Sequence, residues 1–279
     1  ALECMFLPDY VERYGLDHYE TALNTLHDLT HFTSSEFAIR PFIVKYPQTI
    51  SAMYQWSNHS DEHVRRLANE GCRPRLPWAM ALPDLKHDPS PILPLLENLQ
   101  RDPSEYVRRS VANNLNDISK DHPDLILAIA KRWLGQSAAT DKLVKHACRT
   151  LLKAGNAQAM QLFGYCNPDL VQTTDYQLDK SILNLGDRIE CRFKLENTSE
   201  EAAMIRLEYG VYFLLKNGNL SRKVFKISEK KYAPNSSAEV TKSIHFKPIS
   251  TRTFYAGKHE ISIIINGVEK VKARFELQL

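Results

Sequence analysis

Three carboxylates and one arginine-rich loop carry the residue types that could do chemistry. The stretch EGCRPRLPWAM, Glu70 to Met80, sets Arg73 and Arg75 among prolines and ends its RPRLPW core on Trp78, close behind the carboxylate of Glu70. Prolines fix φ and stiffen a loop. Guanidinium groups fork onto phosphates and carboxylates, and an aromatic face attracts a cation. Glu70 ends one helical segment, with Gly71 expected behind it as the left-handed C′ residue, and Asp117 ends the equivalent segment YVRRSVANNLND; at both ends a carboxylate meets the negative end of the helix dipole. Glu36, in TSSEF, reads differently, as the first-turn acid behind a serine N-cap.

Carboxylates repel a polyanion, so beside phosphate-gripping arginines they need another role. They serve where a cation must be stabilised, and cleavage of an N-glycosidic bond develops an oxocarbenium-like sugar. Arg73 and Arg75 would then hold phosphates while Trp78 and Glu70 meet the deoxyribose. The plain alternatives are that Glu70 and Asp117 are salt-bridged to the ladder of arginines along the helical segments and that Glu36 starts a helix. The residues alone leave both open.

Up to about Gly155 apolar residues recur at helical spacing, and the segments that position these acids resemble one another. DEHVRRLANEGC (61–72), SEYVRRSVANNL (104–115) and DKLVKHACRTLL (141–152) align without gaps. Val64, Val107 and Val144 lead, followed four and eight residues later by Ala68/Cys72, Val111/Leu115 and Cys148/Leu152, which predicts one buried stripe per helix. The lead valines are 43 and 37 residues apart, a spacing that suits HEAT-like paired-helix repeats. EFAIRPFI (36–43) is an irregular earlier copy with Ile39 in the valine position. Each lead is followed by a basic residue (Arg65, Arg108, Lys145, and Arg40 in the irregular copy) and then by Arg66, Arg109 or His146. Stacked repeats would align these as a ladder, either bracing the repeats or tracking a phosphate backbone.

After CNPDL the period changes to two. About seven short strands in the last 110 or so residues predict an antiparallel, immunoglobulin-like β-sandwich that lacks the Cys…Trp…Cys core. Lys223, Lys226, Lys230 and Lys231 fall on one strand and its turn, as a solvated edge or as a nucleic-acid contact. The expected domains are 1–166 and 167–279.

Composition bounds the function only loosely. A 43% hydrophobic and 25% charged chain is an ordinary soluble globular protein, with no apolar run of membrane-spanning length. The five scattered cysteines lack a C-x-x-C, which argues for reduced thiols and against a zinc site. From Pro168 on there are 18 Lys+Arg against 14 Asp+Glu, and before it 18 against 19, so an anion-binding face in the first part must come from placement. The sequence starts at Ala1 and not at Met, as a fragment or a chain lacking a disordered start would. H-E-x-x-H, Walker, G-x-S-x-G and helix-hairpin-helix signatures are missing.

FTSSEFAIRPF (32–42), HVRRLANEGCRPRLPWA (63–79) and YVRRSVANNLNDISKDHP (106–123) resemble the AlkC branch of the HEAT-like alkylpurine DNA glycosylases, over about residues 5–165. Some members of that branch carry a C-terminal immunoglobulin-like domain, and members usually have further N-terminal helices, so this chain looks shortened. The resemblance implies excision of cationic alkylated bases, such as 3-methyladenine and 3-methylcytosine, from double-stranded DNA without deep base flipping. It implies that Asp117 orients water or stabilises the sugar cation, that Glu36 and Glu70 line the same cleft, and that Trp78 packs on the nucleotide. The DNA-contact candidates are Arg66, Arg73, Arg75, Arg109, Lys145 and Arg149 in the helical part and Lys226 and Lys230 in the sandwich. No cofactor and no metal are expected, and the protein is expected to be a monomer of the bacterial cytoplasm near the nucleoid. The competing class is a non-enzymatic HEAT scaffold that binds DNA or protein.

Overall fold

The structure is a computed structural model that describes residues 2–279. It falls into two compact units, Ala1–Leu151 and Leu152–Leu279. The helices are α1 (Phe6–Tyr14), α2 (Tyr19–Leu29), α3 (Arg40–Lys45), α4 (Thr49–Trp56), α5 (Glu62–Glu70), α6 (Pro83–His87), α7 (Leu93–Leu99), α8 (Glu105–Ile118), α9 (Pro123–Trp133), α10 (Ala138–Ala147), α11 (Arg149–Ala154) and α12 (Ala157–Leu162). Among the described residues no helix is long and apolar enough to cross a membrane. The five cysteines are unpaired.

The three predicted stripes form the core of the first unit. Val64, Val107 and Val144 are buried, as are Ala68, Cys72, Val111, Leu115, Cys148 and Leu152. Helix α8 packs between α5 and α10, so the repeated copies are spatial neighbours. Asp61 caps α5 by accepting from the His63 amide at 2.7 Å, the N-cap role its side chain favours.

Three local expectations change. The third copy is not one helix: α10 starts behind the Ser137 cap and ends before Cys148, and the chain resumes as α11. Helix α3 begins only at Arg40, with Ile39 at the cap position and no side-chain cap bond, so Glu36 sits in the preceding turn and starts no helix. Gly71 follows α5 in right-handed geometry (φ −62°), so it is not a left-handed C′ residue. Its need is space, because a Cβ there would lie 2.6 Å from Cγ2 of Ile39.

The second unit is a sandwich of eight strands: β1 (Val171–Leu178), β2 (Ile182–Asn184), β3 (Arg188–Asn197), β4 (Ala203–Leu214), β5 (Leu220–Tyr232), β6 (Ser236–His245), β7 (Gly257–Ile265) and β8 (Val268–Gln278). One sheet runs β1-β3-β6 and the other β2-β8-β7-β4-β5. The extra strand is β2, which pairs in parallel with β8 and makes the second sheet mixed. Alternate residues supply the core: Ile189, Cys191, Phe193 and Leu195 of β3 face Ile205, Leu207, Val211 and Phe213 of β4 and Ile261, Ile263 and Ile265 of β7. In the β7–β8 turn, Asn266 and Gly267 both have positive φ (47° and 83°), the geometry of a tight hairpin. Gly267 meets Gly155 so closely that a Cβ on Gly155 would lie 2.5 Å from its carbonyl oxygen, and Nδ2 of Asn266 donates to the Cys166 carbonyl at 2.8 Å. Residues 155–166 therefore pack on the sandwich.

Candidate active site

Glu36, Glu70 and Asp117 are linked by two arginines. Helix α5 ends on Glu70, 5% exposed, and the last turn of α8 presents Asp117, 2% exposed. Arg73 lies between them: its Nη1 donates to Glu70 at 2.6 Å, and its Nε and Nη2 reach Oδ2 of Asp117 at 2.9 Å. One turn earlier on α5, Arg66 donates to Glu36 at 2.6 Å and stands 3.8 Å from Glu70. The Ser110 hydroxyl also donates to Glu70, and Ser34 to Glu36. Acid and guanidinium alternate from Glu36 to Asp117, and Lys120 closes the row at 3.3 Å from Oδ1 of Asp117.

This arrangement compensates every buried charge, which buried carboxylates require. Burial pulls the Arg66 guanidinium down, but Glu36 and Glu70 outweigh it and leave its pKa above the ordinary arginine value. Arg40, fully buried beneath the row, shows the opposite balance: burial lowers it to about 10. Arg40 donates to the carbonyls of Met80 (2.7 Å) and Gly71 (2.8 Å), tying both ends of the RPRLPW loop. Arg75 fixes its middle through a forked contact with Asp121 at 2.7 Å.

On this braced loop Trp78 is 98% exposed and has φ of 66°, a left-handed backbone that bulky residues rarely adopt. Among the described residues the ring covers nothing, and the loop holds it out to solvent.

The arginine ladder divides by position. The first rung braces: Arg65 forks onto Asp102 at 2.6 and 3.0 Å, and Arg108 donates to the carbonyls of Asp102 and Pro103. Arg40 belongs with these. The second rung is different, because Arg66 joins the carboxylate row and Arg109 is largely exposed beside Glu105 at 3.8 Å. Arg73, expected on phosphate, is buried between two carboxylates. Lys145 is half-buried on α10. Half-buried Arg149 donates to the His146 carbonyl at 3.3 Å, and burial lowers its pKa against the pull of Asp117. Arg108, Arg109, Lys142 and His146 line a cleft of about 370 Å³ between α8 and α10. Among the described residues no group of three or more His, Cys, Asp or Glu is arranged to hold a metal.

In the second unit all four lysines lie on β5 itself and none in its turn. Strand β5 is an edge, paired only with β4. Adjacent Lys230 and Lys231 point to opposite faces, so the four do not form one flat patch. Lys226 reaches Glu229 at 2.6 Å, and the Lys230 ammonium sits 5.0 Å from the Tyr232 ring centre.

Sequence reasoning missed Asp102, the brace of Arg65, and the aromatic pair Phe32 and Tyr106 beside Arg66. Only the lone phenylalanine in the polar turn THFTSS gave a signal for the pair.

The family model described as DNA alkylation repair enzyme matches residues 7–157, and that described as the C-terminal Ig-like domain of the uncharacterised protein YhaZ matches residues 172–279. The chain is 45% identical over 278 residues to the uncharacterized protein YhaZ of Bacillus subtilis (strain 168), covering 99% of this chain and 77% of that one. Among solved structures it is similar to the Pseudomonas fluorescens alkylpurine DNA glycosylase AlkC bound to DNA containing an abasic site analog, with TM-score 0.95, 36% identity, and coverage of 99% of this chain and 77% of that one. With both domains matched in order, the chain belongs to the DNA alkylation repair enzyme family, and its fold is that of AlkC with a C-terminal Ig-like domain.

Proposed function

We propose that this protein is a DNA glycosylase that hydrolyses the N-glycosidic bond of cationic alkylated bases, 3-methyladenine and 3-methylcytosine among them, in duplex DNA. The observation that carries this reading is the meeting of Glu70 and Asp117 through Arg73, at the foot of a braced loop that holds Trp78 in solvent. When the C1′–N bond of such a base breaks, the electron pair stays on nitrogen and the cationic base leaves neutral. No general acid is needed. What remains is to stabilise the sugar cation and to place the water that attacks C1′ and gives up a proton.

Asp117 suits that task because its two oxygens are held unequally. Oδ2 takes two nitrogens of Arg73, while Oδ1 has the longer contact with partly exposed Lys120. Oδ1 is the oxygen for the cation or its water, and Glu70 and Glu36 add negative potential along the same row. Arg73 and Arg66 are positioning residues for these carboxylates. Trp78 packs on the nucleotide, with its base left near the duplex and not drawn into a deep pocket.

Phosphate contacts fall to Arg75, Arg109, Lys145 and Arg149, and Lys226 and Lys230 extend them onto the sandwich. A monomer working on DNA in the bacterial cytoplasm goes with this reading. The test is incubation of the full chain with methylated duplex and analysis for free base. Release of 3-methyladenine or 3-methylcytosine supports the reading, and binding without release would return the chain to a scaffold role.

A further inference from the structure

Beside the carboxylate row, the turn after α2 and the facing sides of α5 and α8 enclose a crevice of about 200 Å³. Its walls are aromatic and cationic: Phe32, His63, Arg66 and Tyr106, with Thr33 and Ser34 at the turn. Phe32 is 74% exposed and Tyr106 44%. The Arg66 guanidinium lies 4.8 Å from the centre of the Tyr106 ring, and His63 meets the same ring edge-on at 5.8 Å. Backbone bonds from Phe32 and Thr33 to the Leu29 carbonyl, both 2.9 Å, fix the turn that carries the Phe32 ring. The crevice is tied to the site, since Ser34 and Arg66 in its wall are the partners of Glu36.

A flat ring flanked by aromatic faces and a guanidinium plane is how proteins hold an unstacked nucleobase. The volume is below the ~300–1,000 Å³ usual for drug-sized ligands, which suits one heterocycle and not a whole nucleotide. The crevice adjoins Glu36, at the opposite end of the row from Asp117, so its occupant is a neighbouring base and not the alkylated one whose sugar Asp117 serves. We propose that this crevice is a second subsite, which takes an undamaged nucleobase displaced from the stack next to the scissile nucleotide. It would hold the duplex open while the carboxylates reach the sugar.

This inference rests on the glycosylase reading, and the test separates the two. In a series of duplexes carrying one lesion, each nucleotide flanking or opposite it is replaced in turn by an abasic analogue. Affinity is measured for the wild type and for Phe32→Ala, while base release from the intact duplex checks the enzyme reading independently. At one position, loss of the base weakens wild-type binding about tenfold and leaves Phe32→Ala binding unchanged. Phe32 is exposed enough for the truncation to leave the fold intact, and Tyr106→Phe, which keeps the ring, should behave as wild type. If Phe32→Ala shows the wild-type pattern at every position, the subsite is refuted. It is also refuted if free 3-methyladenine, and not free adenine, slows base release by the wild type but not by Phe32→Ala, because the crevice would then hold the released base.

Discussion

Glu70 and Asp117, at the ends of neighbouring helices, share the guanidinium of Arg73, at 2.6 Å from one carboxylate and 2.9 Å from the other. All three side chains are buried. Each carboxylate sits at the negative end of its helix, and the shared cation offsets that unfavourable position. The same sharing fixes the distance between the two acids, so their geometry is set before any substrate arrives.

Arg73 and Arg109 should therefore behave differently when removed. Arg73→Ala leaves two buried carboxylates without their cation and should cost about 3–5 kcal/mol of stability, together with base release. Arg109→Ala should leave stability unchanged and reduce the salt dependence of DNA affinity by roughly one phosphate contact. Thermal denaturation and salt titrations decide the matter. A stable Arg73→Ala protein that shows only a flatter salt slope would mean that Arg73 grips phosphate after all.

Trp78 combines an exposed ring with a left-handed backbone, which costs a residue with a Cβ roughly 1–2 kcal/mol. Trp78→Gly should keep or raise the melting temperature while base release falls by an order of magnitude or more. A variant with normal release would remove Trp78 from the site.

What was legible in the sequence followed from period and spacing. The stripe led by Val64, Val107 and Val144 marked the core of the repeats, and the period-two residues of β3 marked the core of the sandwich. Partners across space were not legible. Nothing local to RPRLPW shows that Arg73 meets Asp117, 44 residues away, or that Arg65 meets Asp102. Backbone hand was also hidden: Gly71 promised a left-handed turn that the chain takes at Trp78 instead. The three-residue strand β2 is too short to show alternation, and its pairing depends on where β8 runs.

In the sandwich, His259 is fully buried against Phe213, Phe246 and Phe275, and burial lowers its pKa below the ordinary 6.5. As pH falls through about 6.5 the unfolded chain takes up the proton first. The stabilisation from neutral His259 is thus complete above that value and lost towards the lower folded pKa, at no more than ~1.4 kcal/mol per pH unit. His259→Gln can still donate to the Tyr255 carbonyl and should show a shallower acid dependence of the urea midpoint between pH 6.5 and 5. Parallel profiles for the two proteins would exclude His259 as the titrating group.

The sandwich is expected to supply DNA contacts from its β5 edge. Because residues 155–166 pack on the sandwich, the chain should be divided after Ala154, at the end of α11, and not after Cys166. The 1–154 protein should fold, bind DNA more weakly and lose most base release, and Lys226→Glu with Lys230→Glu in the full chain should reproduce part of the loss. Full-length rates from the 1–154 protein would assign the sandwich some other role.

The central claim is that the negative charge of Asp117 stabilises a sugar cation, and Asp117→Asn tests it with almost no change of shape. Single-turnover release of 3-methyladenine from methylated duplex should slow by at least ~100-fold, about 2.7 kcal/mol of barrier, while DNA affinity is kept or improved by the loss of a carboxylate. Release by Asp117→Asn within a few-fold of the wild type, with the variant folded and DNA-bound, would contradict it.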